Sequence, residues 1–181
     1  SHIFLKLVPT MPPDYLELLT KTNYLSAVLI ILVLDRPLSD MYWLNIADRD
    51  FPFVGVIEHT NMIDKSLYGG NHIVYVTNYL SRQSDLYQMT QKELLAAYVP
   101  HLKKINPDFD KSWIIEDHYY KVDSAQPIMG LNYSHRIPKH RTPIKNLYLA
   151  NTTQIYPEDR GTNYSVRMGR QVARMVMEDL E

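Results

Sequence analysis

Apolar residues run almost without a break from Leu25 to Leu34 (LSAVLIILVL), with Ser26 the one interruption. The run is about half the roughly 20 residues that a membrane helix needs, and its branched side chains suit a strand better. It predicts a strand over 24–34, continuous enough in its apolarity to be covered on both faces. Alternation returns in NHIVYVTNYL (71–80), which sends Ile73, Tyr75, Thr77 and Tyr79 to one face and Val74, Val76, Asn78 and Leu80 to the other. MYWLNIA (41–47), FPFVGVIEHT (51–60) and WIIEDHYYKV (113–122) also read as strands. Short connections among the first four favour an antiparallel meander, and Gly69-Gly70 supplies a turn before one of them.

Helical spacing appears in three places. Pro12-Pro13-Asp14 opens a short helix to about Thr22, with Tyr15, Leu18 and Leu19 on one face. Thr90-Gln91-Lys92-Glu93 is a capping box, in which each end residue satisfies the other's unpaired backbone N–H. The stripe Leu94, Leu95, Tyr98, Leu102 and Ile105 follows it, with a kink expected at Pro100. A strand over 147–150 and a helix over 163–180, carrying Val166, Val172, Ala173, Val176 and Leu180, close the chain. The pattern as a whole predicts an α+β fold, a mainly antiparallel sheet backed by helices.

Length and composition narrow the functional classes. The 181 residues suit one domain with an appendage, and 45% hydrophobic content excludes a disordered chain. A net charge of −1 gives no reason to expect nucleic-acid binding. The absence of cysteine removes disulfides, thiolate metal sites and Cys nucleophiles, and leaves the compartment open. The opening residues carry no signal-peptide pattern, which makes the cytoplasm the expectation. The seven histidines show no ligand spacing, so no metal is expected. Neither a P-loop nor a Gly-x-Ser-x-Gly elbow occurs. Asp117-His118-Tyr119-Tyr120 places neighbouring residues on opposite faces of a strand, so it is not a catalytic triad. His59 and Asn61 share a predicted face that would line a pocket, and Tyr75 and Tyr120 add ring faces with polar tips. These four are the candidate substrate contacts.

The C-terminal stretch carries a more specific signal. Leu147-Tyr148-Leu149-Ala150-Asn151-Thr152 is followed, after a loop, by Arg160-Gly161-Thr162-Asn163-Tyr164-Ser165 at a helix start. With Ala125-Gln126-Pro127 upstream, this order resembles the C-terminal end of flavin-containing amine oxidases, protoporphyrinogen oxidases and phytoene desaturases. There a strand ending Leu-x-Leu-Ala-Gly-Asp precedes Gly-x-Asn-Gly-Ala at a helix N-terminus. The resemblance is clear over 113–180 and weaker over 13–112.

It implies a substrate domain over 1–122 and, over 123–181, a linker with the last strand and helix of an FAD-binding domain. It also implies that Asn151, Thr152, Arg160, Gly161, Thr162 and Asn163 contact FAD, Asn151 standing where the family has aspartate. The helix start would face the ring edge where negative charge collects on reduction, with Gly161 allowing close approach. Hydride transfer from a small-molecule substrate to the flavin is the activity implied. The Gly-x-Gly-x-x-Gly unit that holds the dinucleotide is missing. The resemblance therefore points to the C-terminal part of a flavoprotein, its partner being the dinucleotide-binding portion of the same protein. The chain alone is expected to retain no FAD and to be inactive. A non-catalytic binding module and a redox-neutral flavoenzyme similar to sugar mutases are the alternatives.

Overall fold

The computed structural model describes residues 2–8 and 10–181. Its helices are α1 (His2–Leu7), α2 (Pro13–Thr20), α3 (Asp85–Gln88), α4 (Gln91–Ile105) and α5 (Thr162–Leu180). Its strands are β1 (Tyr24–Leu34), β2 (Trp43–Asn45), β3 (Gly55–Glu58), β4 (His72–Leu80) and β5 (Ile114–Pro127). Two compact units result. Tyr24–Gln126 forms one, and the residues up to Asn23 join Pro127–Glu181 in the other. The segment before Tyr24 thus groups with the C-terminal stretch, whereas the sequence placed it with the sheet.

The first unit is a five-stranded sheet in the order β2-β3-β4-β1-β5. The meander holds for β2-β3-β4, but β1 lies between β4 and β5 rather than beside β2. Its long ladder with β4 explains the placement: nine residue pairs, Ser26↔Leu80 through Leu34↔His72, give the longest apolar run the partner with matching alternation. Backbone and side-chain bonds from Asp35 to Trp113 O and from Ser26 to Asp123 O run in opposite sequence directions, so β5 is antiparallel to β1.

Alternation splits the sheet into two unlike faces. Val28, Ile30, Leu32, Leu34, Val56, Val74 and Val76 are buried on one, packed with Leu94, Tyr98 and Leu102 of α4. Phe53 meets Tyr98 edge to face at 5.0 Å. The intervening residues of β1 are only half-buried, so β1 is fully covered on one face and not on both. The capping box forms as the spacing predicts: Thr90 N–H donates to Glu93 Oε2 at 2.9 Å, and the Thr90 side chain accepts from Glu93 N–H. The helix runs through Pro100 to Ile105. Replacing Thr90 with alanine should cost about 1 kcal/mol, measured as an unchanged urea m-value with a lower midpoint.

Strand β3 is shorter at both ends than its apolar pattern. Pro52 has no N–H to donate, and β3 starts only at Gly55. At its other end Glu58 turns inward with no exposed surface, accepting from Leu38 N–H at 3.2 Å and Ser39 N–H at 2.7 Å. The chain then curls into a turn of 3-10 helix at His59–Asn61. His59 and Asn61 therefore do not share a strand face.

In the second unit, Tyr15 and Leu19 of α2 bury Leu149 between them, and Tyr15 Oη donates to Lys139 O at 2.8 Å. The expected strand at 147–150 is a single antiparallel bridge, Arg141↔Tyr148. One neighbouring stretch cannot supply the ladder that a strand inside a sheet needs. Helix α5 is tied down near its end by Asp179, which accepts a forked pair from Arg141 at 2.7 and 3.0 Å and a third bond from Tyr148. No helix among the described residues is long and apolar enough to cross a membrane.

Candidate functional site

Two places combine exposure with groups able to hold a ligand, one in each unit. The first is the start of α5. Its N-cap is Gly161, a residue with no side chain of its own to cap the helix. The first-turn N–H groups of a 19-residue helix thus point outward at its positive dipole end. Gly161 is extended, at φ −162° and ψ 164°, a conformation open to any residue. Glycine matters here for space: a Cβ would stand 2.7 Å from Asn163 Oδ1, at the end of an exposed side chain. Arg167 braces the approach by donating to Glu158 at 2.7 Å and lying over the Tyr164 ring at 4.8 Å. That pairing holds the Glu158 carboxyl below its usual range.

The residues upstream are placed differently. Asn151 caps a turn of 3-10 helix over Thr152–Gln154: its Oδ1 accepts from Thr153 N–H at 3.0 Å while its own N–H donates to Gln154 Oε1 at 2.9 Å. An aspartate could make the same acceptor contacts, so the asparagine keeps the turn while removing its charge. Thr152 is exposed at the start of that turn, and Arg160 is half-buried.

The second place is the outer face of the sheet. Register sets Trp43 opposite Ile57, Ile57 opposite Tyr75, and Tyr75 opposite Ile31. The next row is Asn45, Gly55, Thr77 and Leu29. Together with Tyr42, Val54, Tyr79 and His59 these rows, Ile31 apart, line a groove of about 410 Å³. Gly55 keeps its floor low, since a Cβ there would press within 3.3 Å of the Thr77 methyl. His59 Nε2 lies 2.7 Å from Tyr68 Oη, and its ring meets those of Tyr68 and Tyr75 edge on. Trp43 donates from Nε1 to Asn45 Oδ1 at 2.9 Å.

Of the four candidate substrate contacts, the fold brings His59 and Tyr75 to this groove. Asn61 does not line it, because its amide donates to Ser39 O and Met41 O at 3.0 and 3.1 Å and holds a loop. Tyr120 is exposed on β5, at the far edge of the sheet. Trp43, Thr77 and Tyr79 line the groove without a motif in the sequence to mark them as a set. Outward alternation marks Thr77 and Tyr79, but only strand order puts them beside Trp43. Among the described residues no cluster of three His, Asp or Glu side chains is disposed to hold a metal.

No protein-family model matches the chain, and no curated protein matches it. Solved structures do. A protein from Exiguobacterium sp. 255-15 assigned as a protoporphyrinogen oxidase superposes on 97% of this chain with a TM-score of 0.69 at 13% identity. An oxidoreductase from Methanosarcina mazei matches 90% with a TM-score of 0.63 at 17% identity. Over the matched residues the chain shares the fold of both structures. Reduced UDP-galactopyranose mutase has a related fold over 69% of the chain, with a TM-score of 0.53 at 15% identity. At these identities the likeness is one of fold. The chain spans 39%, 36% and 26% of the three structures' own lengths.

Proposed function

We propose that this chain is the substrate-side and C-terminal part of an FAD-dependent oxidoreductase of the amine oxidase class. In that reading Tyr24–Gln126 is the substrate-binding unit, and the other unit contributes the end of a cofactor domain. The observation that carries it is the long helix α5, which begins at a glycine with no side-chain cap. It does so in a fold shared over 97% of the chain with a protein assigned as a protoporphyrinogen oxidase. An ordinary surface helix gains about 1 kcal/mol from a capping side chain, and α4 has one. A start whose N-cap residue brings no side chain leaves room for an electron-rich ring edge instead.

The residues fit FAD at this point. The N–H groups of Thr162 and Asn163 would hold the ring edge, and Gly161 would keep Cβ atoms away from it. Asn151 and Thr152 would lie toward the ribityl chain, and Arg160 would balance negative charge. When bound, FAD supplies the acceptor for a hydride from the substrate. The protein's part is to orient the substrate, exclude water and stabilise charge at the helix start. The groove on the outer sheet face, with His59 and Tyr75, is the proposed substrate wall. The overlap with UDP-galactopyranose mutase is shorter, which puts redox chemistry ahead of the redox-neutral alternative.

A dinucleotide-binding portion of the same protein is the proposed partner. Helix α5 packs within its unit through Met168, whereas Val166, Met177 and Leu180 are 52%, 66% and 76% exposed. With Gly169 and Ala173 they form one stripe along the helix, an apolar seam of the kind a neighbouring element covers. Purified alone, the chain should be colourless and show no amine-dependent oxygen consumption. Stoichiometric yellow flavin on it would mean that the cofactor site is complete without a partner portion.

A further inference from the structure

We infer that the outer-face groove of the sheet takes a flat, uncharged ring system, so that the part of the substrate held there carries no carboxylate, phosphate or ammonium group. The inference rests on the reading of this face as a substrate wall and specifies its chemistry. Size comes first: about 410 Å³ falls in the range of small-molecule sites, enough for two or three fused rings. The lining comes next. No Asp, Glu, Lys or Arg is among the residues that enclose the groove, in a chain with 19 basic and 20 acidic residues. By contrast, the groove along α5 is lined by Arg141, Arg167, Arg170 and Arg174. Cationic side chains are therefore available to this protein and are placed elsewhere.

The wall offers ring faces instead. Trp43, Tyr42 and Tyr79 are 53%, 39% and 41% exposed, and Tyr75 stands between Ile57 and Ile31 in the row beside them. A ring laid on this face gains apolar burial and offset or edge contacts with the aromatics. Its polar decoration would be met by neutral groups, the Asn45 amide and the Thr77 hydroxyl. His59 is engaged with Tyr68 and closes one end. An anionic substituent pressed here would lose hydration with no cation to replace it. An ammonium group would find ring faces but no carboxylate. The rings around His59 meet edge on, at 85° and 76°, and do not converge their faces on a point as a cation cage does.

Three probes with one ring and different charge test this: naphthol, naphthalenesulfonate and naphthylmethylammonium, titrated into the chain by calorimetry at neutral pH. Naphthol should bind saturably and roughly tenfold or more tighter than either charged twin. Trp43→Ala, on an exposed edge strand, should abolish naphthol binding without changing the melting temperature. Asn45→Arg, also exposed, should raise naphthalenesulfonate affinity above that of naphthol. Tighter binding of a charged twin to the unmodified chain would overturn the neutral-ring assignment while leaving this face a binding wall. No effect of either variant would place the probe elsewhere and overturn the inference. If none of the three binds saturably, the inference fails and the substrate wall fails with it, whereas the cofactor half of the reading is judged separately by flavin content.

Discussion

Glu58→Ala is expected to lose about 3 kcal/mol of stability, the largest effect of any single polar substitution in the sheet unit. The carboxylate has no exposed surface and accepts from the backbone N–H groups of Leu38 and Ser39. Each buried donor left without a partner costs about 1–3 kcal/mol, partly offset because a buried carboxylate no longer has to be desolvated. Glu58→Gln should fall between, since the two N–H groups bond different carboxylate oxygens and the amide NH₂ would replace one of them. The two variants also carry a pH signature. Burial pushes the Glu58 carboxyl above the usual carboxylate range, so the folded state holds this proton more tightly than the unfolded chain does. Its contribution is therefore full at acid pH and declines as pH rises through the raised value. The penalty of Glu58→Ala should shrink over that window. His72 works in the opposite sense: burial lowers its pKa, so protonation as pH falls below the usual histidine range opposes folding. Its Nδ1 lies 3.5 Å from Glu58 Oε1, which makes the two slopes separable only with single variants of each. Chemical denaturation of wild type and variants across acid to neutral pH reads both.

The second large effect belongs to the helix start. In a protein that contains both this chain and a dinucleotide-binding portion, Gly161→Val should weaken FAD binding roughly tenfold or more, with little loss of thermal stability. The extended backbone at Gly161 accepts valine without strain. The added Cβ crowds the Asn163 side chain, whose exposed end can swing away, and meets Tyr164 Cδ2 only at an ordinary contact distance of 3.8 Å. What valine cannot give up is its own volume beside the first-turn N–H groups. Loss of stability with flavin content unchanged would reduce this helix start to an ordinary terminus.

Local signals in the sequence were sufficient for some elements and not for others. The capping box at Thr90 and Glu93 and the stripe behind it place α4 to the residue, because both depend on neighbours within one turn. The Arg160-Gly161 pair marks the start of α5 for the same reason. The insertion of β1 between β4 and β5 was not legible, since strand order is decided by ladders between distant segments. Glu58 carries no local mark of burial in the sequence. Its burial depends on a loop 20 residues upstream that needs two acceptors. The groove shows both limits at once: alternation turns Tyr75, Thr77 and Tyr79 outward, but only register brings them against Trp43 and His59. The apolar residues of α5 were legible as a helix face, while Val166 and Leu180 prove to lie on the side this chain leaves open.

Whether the start of α5 completes an FAD site is read from the flavin content of the protein expressed from the whole reading frame that contains this chain. Absorbance and cofactor extraction should give about one FAD per polypeptide, with content sharply reduced by Gly161→Val at an unchanged melting temperature. A protein without flavin, or one whose FAD content is indifferent to Gly161→Val, would contradict the account.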